Sequence, residues 1–135
     1  MRRFLSKLCS RVYFPLGWTL LTIVLLCLPG SDIPSSGIFA IKGIDKIVHF
    51  TLFGGIVLFW GYYWIGKPGT KEQWRKLMIL IALFSIVLGT VLEFLQLCYI
   101  PGRTFDLVDI LADAIGAVCV YVLLVIPKRE AEKKL

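Results

Sequence analysis

Four apolar runs, each long enough for a membrane helix, constrain this chain more than any other feature. A helix needs roughly 17–25 mostly apolar residues to cross a bilayer. Residues 12–28 just meet that length, and 47–66, 77–98 and 107–126 meet it comfortably. The 58% of hydrophobic residues is therefore concentrated in four blocks, and the polar residues fall between them. The expected architecture is all-α: one integral membrane domain over residues 1–135, a four-helix bundle. The first run follows Arg2, Arg3, Lys7 and Arg11, as the apolar core of a signal peptide would. Pro29-Gly30-Ser31-Asp32 then follows it in place of a small-residue cleavage site, so it is expected to stay as a helix.

Basic residues orient the helices. Arg2, Arg3, Lys7 and Arg11 precede the first run, Lys67, Lys71, Arg75 and Lys76 separate the second from the third, and Lys128, Arg129, Lys133 and Lys134 follow the fourth. An alternating topology places these twelve on one side and leaves Lys42, Lys46 and Arg103 on the other, which accounts for all 15. By the positive-inside rule the twelve, and both termini, are expected in the cytoplasm. Trp18, Trp60, Tyr62, Tyr63, Trp64 and Trp74 gather toward that side, as interfacial aromatics do. The net charge of +6 is explained by these flanks, and no nucleic-acid-binding motif accompanies it. Thr70 and Gln73 form a capping-box pattern ahead of the third run. Cys9, Cys27, Cys98 and Cys119 have no metal-type spacing.

The remaining ionisable residues collect at the outer end. Asp45, Lys46 and His49 enter the second helix, Glu93 and Gln96 approach the end of the third, and Arg103, Asp106, Asp109 and Asp113 occupy the last outer loop and the start of the fourth. Spacings of three and four put each set on one helix face. At 1.5 Å per residue, Asp113 lies about 10 Å below Asp106 and Glu93 about 7 Å below Cys98, so the sets can meet. Asp45 and Asp106 also suit N-capping, Asp109 suits the positive end of a helix dipole, and Arg103 suits a structural ion pair. Glu93 and Asp113 have no such role. An ionisable group costs about 2.5–3.5 kcal/mol at the centre of a span and usually faces a cavity or a partner. Gly54, Gly55, Gly89, Ala112 and Gly116 are small enough to let the helices close around this set.

The stretches DKIVHF (Asp45 to Phe50), EFLQ (Glu93 to Gln96) and PGRTFDLVDILADAIGA (Pro101 to Ala117), with LPGSDIP (Leu28 to Pro34) before them, resemble the VanZ-like family. The resemblance runs from about the first helix to the end of the fourth and picks out Asp45, Lys46, His49, Glu93, Gln96, Arg103, Asp109 and Gly116. Asp113 departs from it, since many members carry Asn there. The family takes its name from a protein associated with resistance to the glycopeptide antibiotic teicoplanin. The resemblance implies a multi-pass protein of the bacterial cytoplasmic membrane with a role at the cell envelope, and implies no reaction.

Three functions are open at this stage. The first is binding: Arg103, Lys46 and His49 would hold an anionic group, and the carboxylates amines or hydroxyls, of a lipid headgroup, a lipid-linked envelope precursor or a glycopeptide. The second is an enzyme acting on a lipid-linked or phosphorylated envelope substrate. No cofactor is expected from a motif, although His49, Glu93, Asp109 and Asp113 are compatible with a divalent metal. The third, an ion-coupled exporter, would want charge at the midplane and internal repeats, and the sequence shows neither.

Overall fold

A computed structural model describes residues 11–32, 36–37 and 41–132, with backbone only at 32 and 127–132. Among the described residues there are four helices, α1 (Tyr13–Leu26), α2 (Ile44–Ile65), α3 (Lys71–Tyr99) and α4 (Leu107–Glu132), with a short 3-10 turn at Gly30–Asp32 after α1. The arginines and lysine of the first ten residues and the last two lysines lie outside the described residues. By length and hydropathy, α2, α3 and the part of α4 from Leu107 to Ile126 can each cross a membrane. With 14 residues, α1 is shorter than the expected run. At 1.5 Å per residue it reaches about 21 Å, short of a hydrocarbon core about 30 Å thick. Its last turn tightens, with Cys27 N–H shared between Ile23 O and Val24 O and Leu28 N–H donated to Leu25 O, and the chain then turns at Pro29-Gly30.

Local chemistry sets the other boundaries. Gly43 is the N-cap of α2 with φ +84°, a left-handed conformation that L side chains rarely adopt. The helix therefore starts three residues before the expected 47. This also corrects the capping expected of Asp45, which sits within the first turn and bonds its own neighbour, Lys46 N, at 3.0 Å. The capping box ahead of α3 is formed. Thr70 Oγ1 accepts from Gln73 N at 3.2 Å, and Gln73 Oε1 accepts from Thr70 N at 2.9 Å. With its end secured this way, α3 begins at Lys71, six residues before the apolar run, and its exposed first turn carries a Lys76–Glu72 ion pair at 2.8 Å. Asp106 does cap α4, accepting from Val108 N at 2.8 Å.

The bundle is built around α2, which packs on all three other helices and most extensively on α4. One apolar cluster joins Val57 of α2 to Trp74, Met78, Ile81 and Ala82 of α3 and Ala117 of α4. A second joins Leu26 of α1 to Leu52, Phe53 and Ile56 of α2 and Leu92 of α3. The α2–α4 approach depends on missing side chains. A Cβ on Gly116 would collide with the Phe50 carbonyl, and one on Gly54 would press on the Gly116 carbonyl. Gly55 leaves room for the Trp18 indole, whose Nε1 donates to Leu52 O at 3.0 Å. Leu80, Leu83, Phe84, Val87 and Val91 of α3 and Leu111, Ile115, Val118 and Val122 of α4 are exposed. His49, Glu93, Asp109 and Asp113 are buried. Apolar outside and polar inside is the arrangement a bilayer imposes.

Gly116→Ala forces backbone apart and is expected to cost about 1–3 kcal/mol, as overpacking does. Gly17→Ala, whose Cβ meets nothing within 4 Å, should be neutral or stabilise by up to about 1 kcal/mol. Unfolding of both variants in mixed micelles checks the pair; equal effects would contradict the packing assigned to α2 and α4.

Candidate functional site

Seven of the nine polar residues singled out in the sequence come together at one end of the bundle, in two layers. The outer layer is organised by Lys46. Its ammonium lies 2.9 Å from Asp45 Oδ2 and 2.6 Å from Asp106 Oδ2. It also stands 3.0 Å from Asp109 Oδ1, close enough for an ion pair but without hydrogen-bond alignment. Lys46 lies on α2, Asp106 precedes α4 and Asp109 is in its first turn, so one cation ties the two helices at their polar ends. Asp106, outside the spans, is held below the usual carboxylate range by the hydrogen bond from Lys46 and then by that from Val108 N–H.

The inner layer is buried. His49 Nδ1 lies 2.9 Å from Asp113 Oδ1, with 4% of the His49 side chain and 1% of the Asp113 side chain exposed. The second oxygen, Asp113 Oδ2, is buried without a partner and lies over Gly89, where a Cβ would strike it. Glu93 is 1% exposed. Its Oε1 accepts the Asp106 backbone N–H at 2.6 Å, and its Oε2 is buried without a hydrogen-bond partner. Its carboxylate thus meets the amide end of α4, where a helix dipole favours negative charge. One ligand atom from each of His49, Glu93 and Asp109 lies within 4.8 Å of the others.

The remaining two residues serve the loops. Gln96 Nε2 donates to Leu26 O at 2.8 Å and so satisfies a carbonyl at the C-terminal end of α1. Arg103 Nε reaches Leu28 O at 3.4 Å. Among the described residues Arg103 pairs with no carboxylate, contrary to the ion pair that its position suggested. Gly30 N–H donates to Pro101 O at 3.0 Å and fastens the loop after α1 to the loop before α4. Cys27, Cys98 and Cys119 are free thiols.

An unforeseen feature adjoins Lys46. Ile47 and Phe50 of α2 and Val108, Leu111, Ala112 and Ile115 of α4 line an open groove of about 420 Å³, with Lys46 among its lining residues. Its sequence signal is the row of apolar residues at helical spacing beside the polar row on each helix, which is indistinguishable from any lipid-facing stripe until the helices are paired.

A four-helix membrane protein with a buried polar cluster at one end is the class that this fold and site define. The VanZ/LLP1 family model matches residues 8–128, and the chain belongs to that family. No curated relative and no solved structure matches it.

Because the Asp106 carboxylate titrates low in the folded protein, its contribution to stability is present above the unfolded value, about 3.9. That contribution is lost as pH falls through the depressed folded value. Lys46→Met should move the Asp106 titration up toward 3.8, followed by carboxyl carbon NMR in micelles. An unmoved titration would show that Lys46 does not hold Asp106.

Proposed function

We propose that this protein sits in a bacterial cytoplasmic membrane with its polar end outward and there binds a lipid or lipid-linked component of the cell envelope. The observation that carries the reading is the groove between α2 and α4. Its apolar walls suit an acyl or prenyl chain, and it leads to Lys46 and the carboxylates around it. The outward orientation rests on the basic residues, twelve expected on one side and three on the other.

The geometry narrows the headgroup chemistry. Anion capture by Lys46 and Arg103 is disfavoured, since Lys46 already stands among three carboxylates and Arg103 is turned to the Leu28 carbonyl. Asp45, Asp106 and Asp109 favour a headgroup that offers amines or hydroxyls. A glycopeptide bearing amino groups would meet the same carboxylates. The second reading is a membrane-embedded enzyme acting on a lipid-linked substrate. Its support is the buried His49–Asp113 contact, in which a carboxylate holds an imidazole in the orientation a general base needs.

Native mass spectrometry of protein extracted in mild detergent tests the binding reading. Wild type should retain a lipid or lipid-linked mass. Loss of one charge-assisted contact is worth about 1.5–3 kcal/mol, so Asp45→Asn should reduce retention roughly tenfold or more. Leu111→Trp, which fills the groove, should also release the ligand. Equal retention in wild type and both variants would refute the reading.

A further inference from the structure

We propose that His49, Glu93 and Asp109 form a site for one divalent first-row cation of the Mn2+ or Zn2+ kind, with Asp113 orienting His49 from behind. The proposal does not depend on a lipid in the groove: it takes His49 and Glu93 from the inner layer and Asp109, which also stands 3.0 Å from Lys46, from the outer one.

Three observations converge on it. The first is the donor set. One imidazole nitrogen and two carboxylate oxygens, from three different helices, lie within 4.8 Å of one another. Metal–ligand distances of about 2.0–2.2 Å put donor atoms about 3.4 Å apart in a tetrahedral shell, so the three need to close by roughly 1.4 Å at most. Mixed imidazole and carboxylate donors suit Zn2+ and Mn2+ better than Ca2+, which takes an all-oxygen shell. The second is an unmet demand for positive charge. Glu93 is 1% exposed, its Oε1 is used by the Asp106 N–H, and its Oε2 has no partner. The other acidic grouping, Asp45 with Asp106 and Asp109, has the Lys46 ammonium at its centre, and Asp109 Oδ1, shared between the two groupings, stands 3.0 Å from it.

The third is the group behind the histidine. His49 Nδ1 is engaged by Asp113 Oδ1 at 2.9 Å, which leaves Nε2 as the available donor atom. A carboxylate on the far nitrogen of a metal-binding histidine fixes its tautomer and raises its basicity. Asp113 holds that position, and Gly89 provides the space it needs. A purely structural network would pair these oxygens with protein donors, whereas Glu93 Oε2 and Asp113 Oδ2 are both left without one.

The test titrates EDTA-stripped full-length protein in detergent with Mn2+, reading free Mn2+ by its EPR signal, and then displaces bound Mn2+ with Zn2+. Wild type should take up one Mn2+ per chain, saturably, and release it to Zn2+. Glu93→Gln, close in shape, should weaken uptake more than tenfold. Asp113→Asn should weaken it by about 10–100-fold, the usual effect of losing such an orienting group. Asp109→Asn, nearer the rim, is the second ligand variant should Glu93→Gln fail to fold by circular dichroism. Absence of saturable Mn2+ or Zn2+ uptake by folded wild type overturns the proposal. So does uptake that folded Glu93→Gln or Asp109→Asn leaves unchanged.

Discussion

The contact between His49 and Asp113 is the interaction on which the polar end of this molecule depends. Within a bilayer, apolar side chains gain little by leaving lipid for protein, so helices associate through close packing and polar links. His49 and Asp113 link α2 to α4 in the buried layer, and Lys46 links the same helices one turn nearer the surface. Both links need the backbones close together, and the glycines at 54 and 116 permit that. Removing one partner of a buried hydrogen-bonded pair leaves the other unsatisfied, which commonly costs about 1–3 kcal/mol. Asp113 is therefore a structural commitment as well as a chemical one.

From that contact the rest of the polar end follows. Once α2 and α4 are paired, α3 brings Glu93 under the first amides of α4, where the Asp106 N–H and the helix dipole receive its carboxylate. Gln96, one turn further along α3, takes the Leu26 carbonyl and closes α1 against the same end. Arg103 and the Gly30–Pro101 hydrogen bond tie the loop after α1 to the loop before α4. The polar end is thus a cap made by all four helices. In its outer layer the single Lys46 ammonium stands among three carboxylates, and its inner layer retains unpartnered carboxylate oxygens.

Helix number, the α3 capping box and the convergence of seven polar residues were legible in the sequence because each follows from periodicity or a short-range rule. Apolar length counts helices, Thr70 and Gln73 interact across one turn, and spacings of three and four define faces. Boundaries were less legible. Gly43 starts α2 early through a left-handed backbone that no hydropathy run reports, and α1 ends early at the Pro29-Gly30 turn. The local partners of Asp45 and, among the described residues, of Arg103 were less legible for a related reason. Capping and pairing depend on where a neighbour's backbone groups point, and neither the Gly43 conformation nor the Leu28 carbonyl is visible in a string of letters. The α2–α4 groove needed both helices in place before it existed as a feature.

The proposed polar site opens on the outer side of the membrane, and sidedness is what one labelling measurement can decide. Arg103→Cys and Lys71→Cys would each be placed in a background with the four native cysteines changed to serine, then treated in intact cells with a membrane-impermeant maleimide. The account expects Arg103→Cys to be labelled in intact cells and Lys71→Cys only after permeabilisation. The reverse pattern would put the cluster in the cytoplasm and contradict an envelope-facing site.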